Sequence, residues 1–290
     1  MRNLFLLMIF NNILFAAKAQ QIFLTSVFNN SLEISYLACQ KDKILLLTEK
    51  CKHLYYLDEA GNIIGEQSID KGYIKNKEVE IEGAAWLKNG LLITNEKVGE
   101  ILYLNFSVGT VSKVDANYDM SSDTGSQGME GIAIDSTRRL CYVLKEKSDH
   151  NESMIRVFSI LEGQGAPRLQ FVKNVRIRLL NNEWRFADAF YNTADDQLYF
   201  LETKKRGYRV VKVKSSDLEK ATGENLVNPI LHKDLSGLIN PFEQKKFNTN
   251  IEGLALKDGS IYMVSDNATT STCSSSILGK GKTLLIKVPF

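Results

Sequence analysis

The apolar residues of this chain occur in short paired runs, not at the three-to-four-residue spacing of a helix. Residues 81–97 read IEGAAWLKNGLLITNEK, in which a Lys-Asn-Gly turn separates two apolar runs. Residues 251–267 read IEGLALKDGSIYMVSDN and nearly repeat that arrangement. Apolar runs rich in β-branched and aromatic residues, joined by Gly, Asn and Asp, are typical of antiparallel strands in hairpins. The pattern therefore predicts an all-β chain.

Three further segments follow the same arrangement, at residues 32–50, 129–147 and 186–204. In each, an acid stands close to the start of the first run and another closes the second run. Two more apolar runs follow each of the first four copies, which gives four predicted strands per unit. The units start at residues 33, 82, 130, 188 and 252, so successive starts lie 48 to 64 residues apart. Four-stranded units at this period are typical of β-propeller blades.

The last unit is one strand short, and the beginning of the chain supplies a spare strand. After residues 251–267 only one apolar run remains, TLLIKVPF at 283–290, whereas QQIFLTSVF at 20–28 has no partner of its own. An N-terminal strand that completes the last blade removes the open sheet edge. We therefore predict a single five-bladed β-propeller closed by an N-terminal outer strand. A six-bladed ring is the alternative, because the stretches before residues 186 and 251 are long.

The first 19 residues have the features of a signal peptide. Met1-Arg2 is followed by an apolar stretch, and the small residues Ala17 and Ala19 stand where signal peptidase reads, which predicts cleavage before Gln20. The apolar stretch is too short and too interrupted to span a bilayer. We expect a mature domain of residues 20–290, exported to the periplasm or secreted, monomeric and without a transmembrane segment. The net charge of +2 argues against nucleic acid as a partner.

The acids of the repeats predict two circles of carboxylates. In a blade the start of the first strand and the end of the second lie at the same face of the ring. The inner circle would hold Glu33, Glu82, Glu130, Asp188 and Glu252. The outer circle would hold Glu49, Glu96, Glu146, Glu202 and Asp266.

Five carboxylates around a narrow axis need cations, protons or lysine partners. Oxygen ligands without His or Cys suit Ca²⁺ in the first place and Mg²⁺ in the second. The inner circle is therefore the predicted metal site. The alternative is that lysines next to the outer acids neutralise the carboxylates and no metal binds. Those lysines are Lys50, Lys97, Lys147 and Lys204.

Two residues are candidates for catalysis at this mouth. Glu130 would activate water, and Arg185, on the loop that enters the fourth unit, would bind an anionic group in a fork. Pairing of Arg185 with Glu183 or Asp188 is the alternative. The predicted ligand-binding residues are Glu96, Glu146, Lys97, Lys147 and Asp266. The three histidines, His53, His150 and His232, fall outside the inner strands and are not predicted to act as bases.

The Glu-Gly at the head of a unit, with a second strand that ends in Asn-Glu-Lys or Ser-Asp-Asn, resembles a known family. Phytase-like propellers with "esterase-like activity of phytase", and the related exported propellers called SdiA-regulated, share this motif. The resemblance covers the mature chain and implies an exported propeller that hydrolyses phosphoric or carboxylic esters with Ca²⁺. The positions that match the motif are Glu82, Glu130, Glu252 and Asp266. Glu33, which Ile34 follows, and the displaced Asp188 depart from it.

Two functions remain open from the sequence. One is a calcium-assisted hydrolase that takes a small anionic or ester substrate at the acidic channel mouth. The other is a non-catalytic propeller that binds a ligand or a protein of the cell envelope at the same mouth.

The four cysteines suggest one disulfide. Cys51 and Cys273 each lie just past the second strand of a unit, and the first and fifth units are neighbours in a closed ring. An exported protein permits disulfides, so we predict a Cys51–Cys273 bridge. Cys39 and Cys141 are expected to be buried and reduced.

Overall fold

The fold is a closed ring of five sheets, each built on four antiparallel strands, and in the third sheet two short strands pair parallel with the outer strand. A computed structural model describes residues 20–23, 30–31, 33–40, 42–125, 127–149, 151–163, 165–243, 247–266, 274–278 and 283–290. The predicted signal peptide, His150 and Cys273 lie outside the described residues. The five sheets are the predicted five blades, and the six-bladed alternative is wrong.

The strands of each blade follow the chain order from the axis outward. Blade 1 consists of Ile34–Gln40, Lys43–Thr48, His53–Leu57 and Ile63–Ser68. Blade 2 consists of Ile81–Leu87, Gly90–Asn95, Glu100–Asn105 and Thr110–Lys113. Blade 3 consists of Met129–Asp135, Leu140–Lys145, Glu152–Leu161 and Arg168–Arg178. Blade 4 consists of Arg185–Asn192, Gln197–Lys204, Gly207–Lys214 and Ile230–Asp234.

Blade 5 takes strands from both ends of the chain, as predicted. Ile251–Lys257, Ser260–Ser265 and Leu284–Pro289 form its first three strands, and Gln20–Phe23 pairs antiparallel with Leu284–Pro289 as the outer strand. The two ends of the chain are therefore held together in one sheet, which leaves no blade with an incomplete edge.

Five apolar clusters lie between successive blades and account for the ring. One joins blade 5 to blade 1, where Leu37 and Leu46 pack with Tyr262 and Leu285. The other four clusters join each remaining pair of neighbours. Because a blade is covered on both faces, its second strand is a continuous apolar run, as in the fully buried Gly90–Asn95. The outer strand Ile63–Ser68 is less buried and alternates instead.

Glycines permit the inner strands to converge on the axis. A Cβ atom at Gly83 would lie 2.4 Å from the carbonyl oxygen of Glu130, and one at Gly131 would lie 2.9 Å from the amide nitrogen of Ala189. A Cβ atom at Gly253 would lie 2.9 Å from the amide nitrogen of Leu37. The glycine that follows Glu82, Glu130 or Glu252 is therefore required for the close contact between neighbouring blades.

Smaller elements lie on the outside of the blades. The sequence reading missed two short helices, Ser215–Lys220 and Ser236–Glu243. Lys173 donates hydrogen bonds to backbone carbonyls at the end of the first helix and so ties it to blade 3. The remaining elements are Asn30–Ser31, the 3-10 helix Glu96–Val98, Asp115–Ala116, Leu226–Val227 and Ser274–Leu278. Within the described residues, no helix has the length and apolar character needed to cross a membrane.

The cysteine predictions have mixed outcomes. Cys39 and Cys141 carry free thiols, as expected, although only Cys141 is fully buried. Cys51 is disulfide-bonded. Its predicted partner, Cys273, lies outside the described residues.

We expect the N-terminal strand to be essential for stability. A chain that begins at Asn29 lacks Gln20–Phe23 and leaves the strand Leu284–Pro289 with an open edge. Its melting temperature should fall by at least about 5 °C relative to a chain that begins at Gln20, or it should aggregate. Scanning calorimetry of the two chains measures the difference. Equal melting temperatures would contradict the closing role of this strand.

We also expect Gly83→Ala to destabilise the ring, because its methyl group meets backbone that cannot move aside. The free energy of unfolding should fall by about 2 kcal/mol or more, as for other overpacked sites. Gly223→Ala is the matched control, since no atom lies within 4 Å of its Cβ position. Urea denaturation of both variants tests the difference, and equal stabilities would refute it.

Candidate functional site

A β-bulge at the start of every inner strand defines equivalent positions around the axis. The pairing of the first two strands shifts after a buried apolar residue, which is Ile81 in blade 2 and Ile251 in blade 5. The residue directly after this apolar one starts the bulge and points to the same end of the ring in each blade. From blade 1 to blade 5 these positions hold Ser35, Glu82, Glu130, Ala187 and Glu252.

The inner circle therefore has three acids, and the symmetric placement predicted for Glu33 and Asp188 needs correction. The backbone amide of Glu49 bonds to the carbonyl of Glu33, as the amide of Glu96 bonds to the carbonyl of Glu80. Glu33 thus corresponds to Glu80, two residues before the predicted position. Its backbone has a φ of 46°, and its carboxylate lies 3.3 Å from the ammonium of Lys50.

Asp188 occupies the position that Gly83, Gly131 and Gly253 hold in other blades. Its side chain is fully buried and accepts hydrogen bonds of 2.7 Å from the backbone amides of Leu254 and Ala189. Burial raises the pKa of this carboxyl well above its usual range. Asp188 therefore connects the inner strands of blades 4 and 5.

We call the end of the ring with these acids the acidic face, and Glu82, Glu130 and Glu252 the inner acids. Burial is the main cause that raises the pKa of each inner acid. Like charge adds to it: Glu130 raises the pKa of Glu82, and Asp266 helps to raise that of Glu252 to about 8. The three carboxylates therefore form one interacting group at the axis.

Arg185 stands at the acidic face, two residues before Ala187, the position where blade 4 lacks an acid. Its guanidinium forms an ion pair with Glu146, lies 3.7 Å from Glu252 and donates a hydrogen bond of 3.2 Å to Asn250 Oδ1. The positive charge opposes the pKa increase of Glu130. The predicted alternatives, pairing with Glu183 or Asp188, are wrong, because Glu183 pairs with Lys204 instead. About a third of the Arg185 side chain, 34%, is exposed and can meet a ligand.

The outer acids have different partners in each blade. Glu49 pairs with Lys50, and Glu146 pairs with Arg185. Glu96 is buried and accepts a hydrogen bond of 2.8 Å from the amide of Gly128. Burial raises the pKa of Glu96 to about 7, against the effect of that amide.

Glu202, the outer acid of blade 4, lies apart from the inner acids. It accepts hydrogen bonds of 2.6 Å from Arg209 and 2.8 Å from the amide of Leu180. Asp266, in blade 5, accounts for part of the raised pKa of both Glu33 and Glu252.

The two lysines predicted to bind a ligand turn away from the inner acids. Lys97 lies 3.3 Å from Glu80 and 3.8 Å from Glu78. Lys147 donates a hydrogen bond to the backbone carbonyl of Asn182. They therefore do not neutralise the acids next to them in sequence.

A comparison with family models places the chain among known proteins. The model of the phytase-like family, described as "esterase-like activity of phytase", matches residues 40–268. The chain belongs to this family. No curated protein matches the chain in sequence.

One solved structure supports the fold of this phytase-like propeller, and a second is similar over most of its length. The glutaminyl cyclase of Myxococcus xanthus is 13% identical and gives a TM-score of 0.54, with 93% of this chain and 94% of that chain covered. The PQQ-bound aldose sugar dehydrogenase of Streptomyces coelicolor is 11% identical with a TM-score of 0.46, covering 93% of this chain and 98% of that one. At these identities the likeness concerns the fold alone.

The far end of the channel differs in chemistry from the acidic face. A cavity of about 320 Å³ lies there between the inner strands. Its lining includes Leu37, Ala85, Ile132 and Leu254 and holds no Asp, Glu, Lys or Arg among the described residues. The charged groups that the structure describes at the axis of the phytase-like propeller are therefore those of the acidic face.

The raised pKa values predict that stability falls as the pH rises from about 6 to about 9. An unfolded Glu252 releases its proton near its ordinary pKa of 4.5, whereas the folded protein holds that proton until about pH 8. The folded state binds more protons in this window, so the free energy of unfolding decreases with pH. Glu96, with a pKa of about 7, contributes in the same direction.

Urea denaturation at several pH values between 6 and 9 measures this slope. Glu252→Gln removes one of the titrating groups and should flatten the curve. Glu78→Gln, at a site 88% exposed, should leave it unchanged. A stability that rises with pH in this window would contradict the assigned pKa directions.

Proposed function

We propose that this phytase-like propeller is a hydrolase that cleaves a carboxylic or phosphoric ester at the acidic face. One observation carries the proposal: the positive charge of the partly exposed Arg185 guanidinium acts on the buried carboxyl of Glu130 and lowers its pKa against the effect of burial. Glu130 is only 9% exposed, and its carboxyl makes no hydrogen bond to any described residue. Arg185 is the positive neighbour that acts on its pKa. A buried carboxyl with a raised pKa next to a cation is a general-base arrangement.

The two side chains would have separate roles in hydrolysis. Glu130 accepts a proton from water as the water oxygen attacks the carbonyl carbon of the ester. The charge that develops on the carbonyl oxygen is stabilised by Arg185, which Glu146 and Asn250 hold in place. When the tetrahedral intermediate collapses, the alcohol leaves and takes the proton back from Glu130. The products are a carboxylic acid and an alcohol, so atoms and charges balance.

Calcium stays a prediction from the sequence. Within the described residues, no three His, Cys, Asp or Glu side chains are grouped closely enough to hold a metal ion. Part of the charge of Glu252 is already met by the guanidinium of Arg185, 3.7 Å away. The residues present therefore do not form a ready calcium cage, and the proposed chemistry relies on the side chains alone.

Export is part of the same proposal. The signal peptide lies outside the described residues, so its support comes from the sequence. The disulfide at Cys51 adds to it, because disulfides persist mainly in oxidising compartments. Periplasmic and secreted destinations both fit.

Two substitutions test the catalytic roles. Glu130→Gln keeps the shape but removes the base, and should lower kcat on a chromogenic ester by about 100-fold or more. Arg185→Lys keeps the positive charge but loses the two parallel N–H donors of the guanidinium, and it should lower kcat by about 10- to 100-fold. Both variants should melt no lower than about 3 °C below the parent, since Gln keeps the volume of Glu and Lys keeps the charge of Arg.

The controls are matched to each change. Glu78→Gln and Arg206→Lys alter exposed ion pairs away from the inner acids and should leave kcat unchanged. The screen uses p-nitrophenyl acetate, butyrate and phosphate, with and without CaCl2. Absence of turnover of every substrate in both conditions would refute the hydrolase and favour the alternative, a non-catalytic ligand- or protein-binding propeller.

A further inference from the structure

Three cavities meet at the side chain of Trp86, at the end of the ring opposite to the acidic face. Trp86 is near the end of the inner strand of blade 2, next to the hairpin turn. It lines the axial cavity, a cavity of about 490 Å³ between blades 1 and 2, and one of about 360 Å³ between blades 2 and 3. The last two have the size of sites for small organic ligands, about 300–1,000 Å³. We call the cavity between blades 1 and 2 the aromatic groove.

Three aromatic side chains form the apolar part of the aromatic groove, namely Tyr56, Trp86 and Phe106. Each is partly buried and keeps part of its ring accessible. The ring centroids of Trp86 and Phe106 lie 5.3 Å apart. The indole nitrogen of Trp86 is buried and has no hydrogen-bond partner among the described residues, so the accessible part of this ring is hydrocarbon. Such a surface attracts C–H groups, because the face of an aromatic ring carries partial negative charge.

Polar side chains surround these rings and have hydrogen-bonding capacity to spare. Gln67, Asn89 and Ser107 line the same groove. The amide oxygen of Gln67 accepts a hydrogen bond of 3.1 Å from the hydroxyl of Tyr56, which leaves the two N–H donors of that amide for another partner. Asn89 and Ser107 are exposed, and within the described residues only their backbone groups make hydrogen bonds. The groove therefore offers donors and acceptors next to its apolar surface.

The aromatic groove carries almost no net charge, in contrast to the acidic face. Among its described lining residues only Lys88 is charged, and the ammonium of Lys88 lies 2.8 Å from the carboxylate of Glu162. In the cavity between blades 2 and 3, Arg139 lies 3.9 Å from the same carboxylate. A ligand of the groove therefore gains little from a charge of its own.

We propose that the aromatic groove binds an uncharged oligosaccharide, with one sugar ring against Trp86 and Phe106 and the next ring over Trp86 toward Tyr103. A sugar ring has an apolar C–H face, which matches the aromatic rings. It also has a rim of hydroxyl groups that both donate and accept hydrogen bonds, which matches the amides and the serine. The inference does not depend on the proposed hydrolase, because the groove lies at the opposite end of the ring.

The polar groups favour a sugar over an acyl chain. An acyl chain would cover the aromatic rings, but it would also remove Gln67, Asn89 and Ser107 from water without giving them a partner. Polar groups that lose water without gaining a hydrogen bond weaken binding. The hydroxyl groups of a sugar replace the water that these side chains give up.

Tryptophan fluorescence provides a direct measurement, because the chain has two tryptophans. Trp184 is 6% exposed and precedes Arg185 at the acidic face, so Trp184→Phe leaves Trp86 as the one emitting tryptophan. Cellotetraose, chitotetraose and maltotetraose are titrated into this variant and into the parent. At least one of them should move the emission of Trp86 to shorter wavelength in a saturable manner, since the sugar displaces water from the ring. Calorimetry with the parent gives the Kd.

Two substitutions in the groove test the assignment of the site. Trp86→Ala should raise the Kd by at least about tenfold, because the central ring is lost. Asn89→Ala should raise it by about two- to tenfold through the loss of a hydrogen bond. Asn89 is exposed, so this variant should keep the parent melting temperature and decides the question even if Trp86→Ala does not fold. Asn182→Ala, at an exposed site of the acidic face, is the matched control and should leave the Kd unchanged.

Three results would overturn the inference. The first is that none of the three oligosaccharides binds. The second is that one binds with the parent Kd to both Trp86→Ala and Asn89→Ala, which would place the sugar elsewhere. The third is that hexanol, and no sugar, shifts the emission of Trp86, which would make the groove a site for acyl chains. None of these measurements requires turnover of an ester, so failure of the hydrolase proposal and failure of the sugar site are distinguishable.

Discussion

The convergence of five inner strands on one axis is the constraint on which the rest of the acidic face depends. It brings Glu82, Glu130 and Glu252 together where little water can separate their charges. Like charges in such a place either hold protons or find cations. The raised pKa values and the ion pairs of Arg185 and Lys50 are two consequences of this single geometry.

The repeat explains why so much of the fold could be predicted from the sequence. A unit of four apolar runs returns five times, and one strand missing at the end matches one strand spare at the beginning. Both signals can be recognised in the sequence without knowledge of any contact in the structure. The closing strand Gln20–Phe23 was therefore predictable, whereas the helices Ser215–Lys220 and Ser236–Glu243 interrupt the repeat and were missed.

The register of the site was predictable only in part. Glu82, Glu130 and Glu252 follow one motif, and the structure places them at equivalent positions. Glu33 and Asp188 also stand near the start of an inner strand, but they do not occupy the equivalent position. The bulge determines which residue does, and no sequence motif shows where the bulge lies. The pairing of Arg185 with Glu146 crosses from one blade to the next, over 39 residues, so local reasoning could not find it.

The differences between the blades determine the chemical character of the acidic face. A ring with five equal acids would offer one central charge and no direction. In this chain Ala187 and Ser35 replace two of the acids, and Arg185 enters beside one of these gaps. The axis thus has a guanidinium at blade 4 and carboxyl groups at blades 2, 3 and 5. This inequality between blades gives a ligand at the axis a preferred orientation.

At the inner acids, the charges that could bind a ligand also reduce the stability of the fold. Once they lose their protons, the three inner acids repel one another and lower the free energy of unfolding, and an uncharged residue in place of Glu82 would relieve part of that repulsion. A ligand that supplies a positive charge relieves it as well, and by linkage the ligand then stabilises the folded protein. The repulsion that deprotonation creates among these carboxyls therefore adds to the affinity for a cation, because binding removes an unfavourable interaction in addition to forming a favourable one.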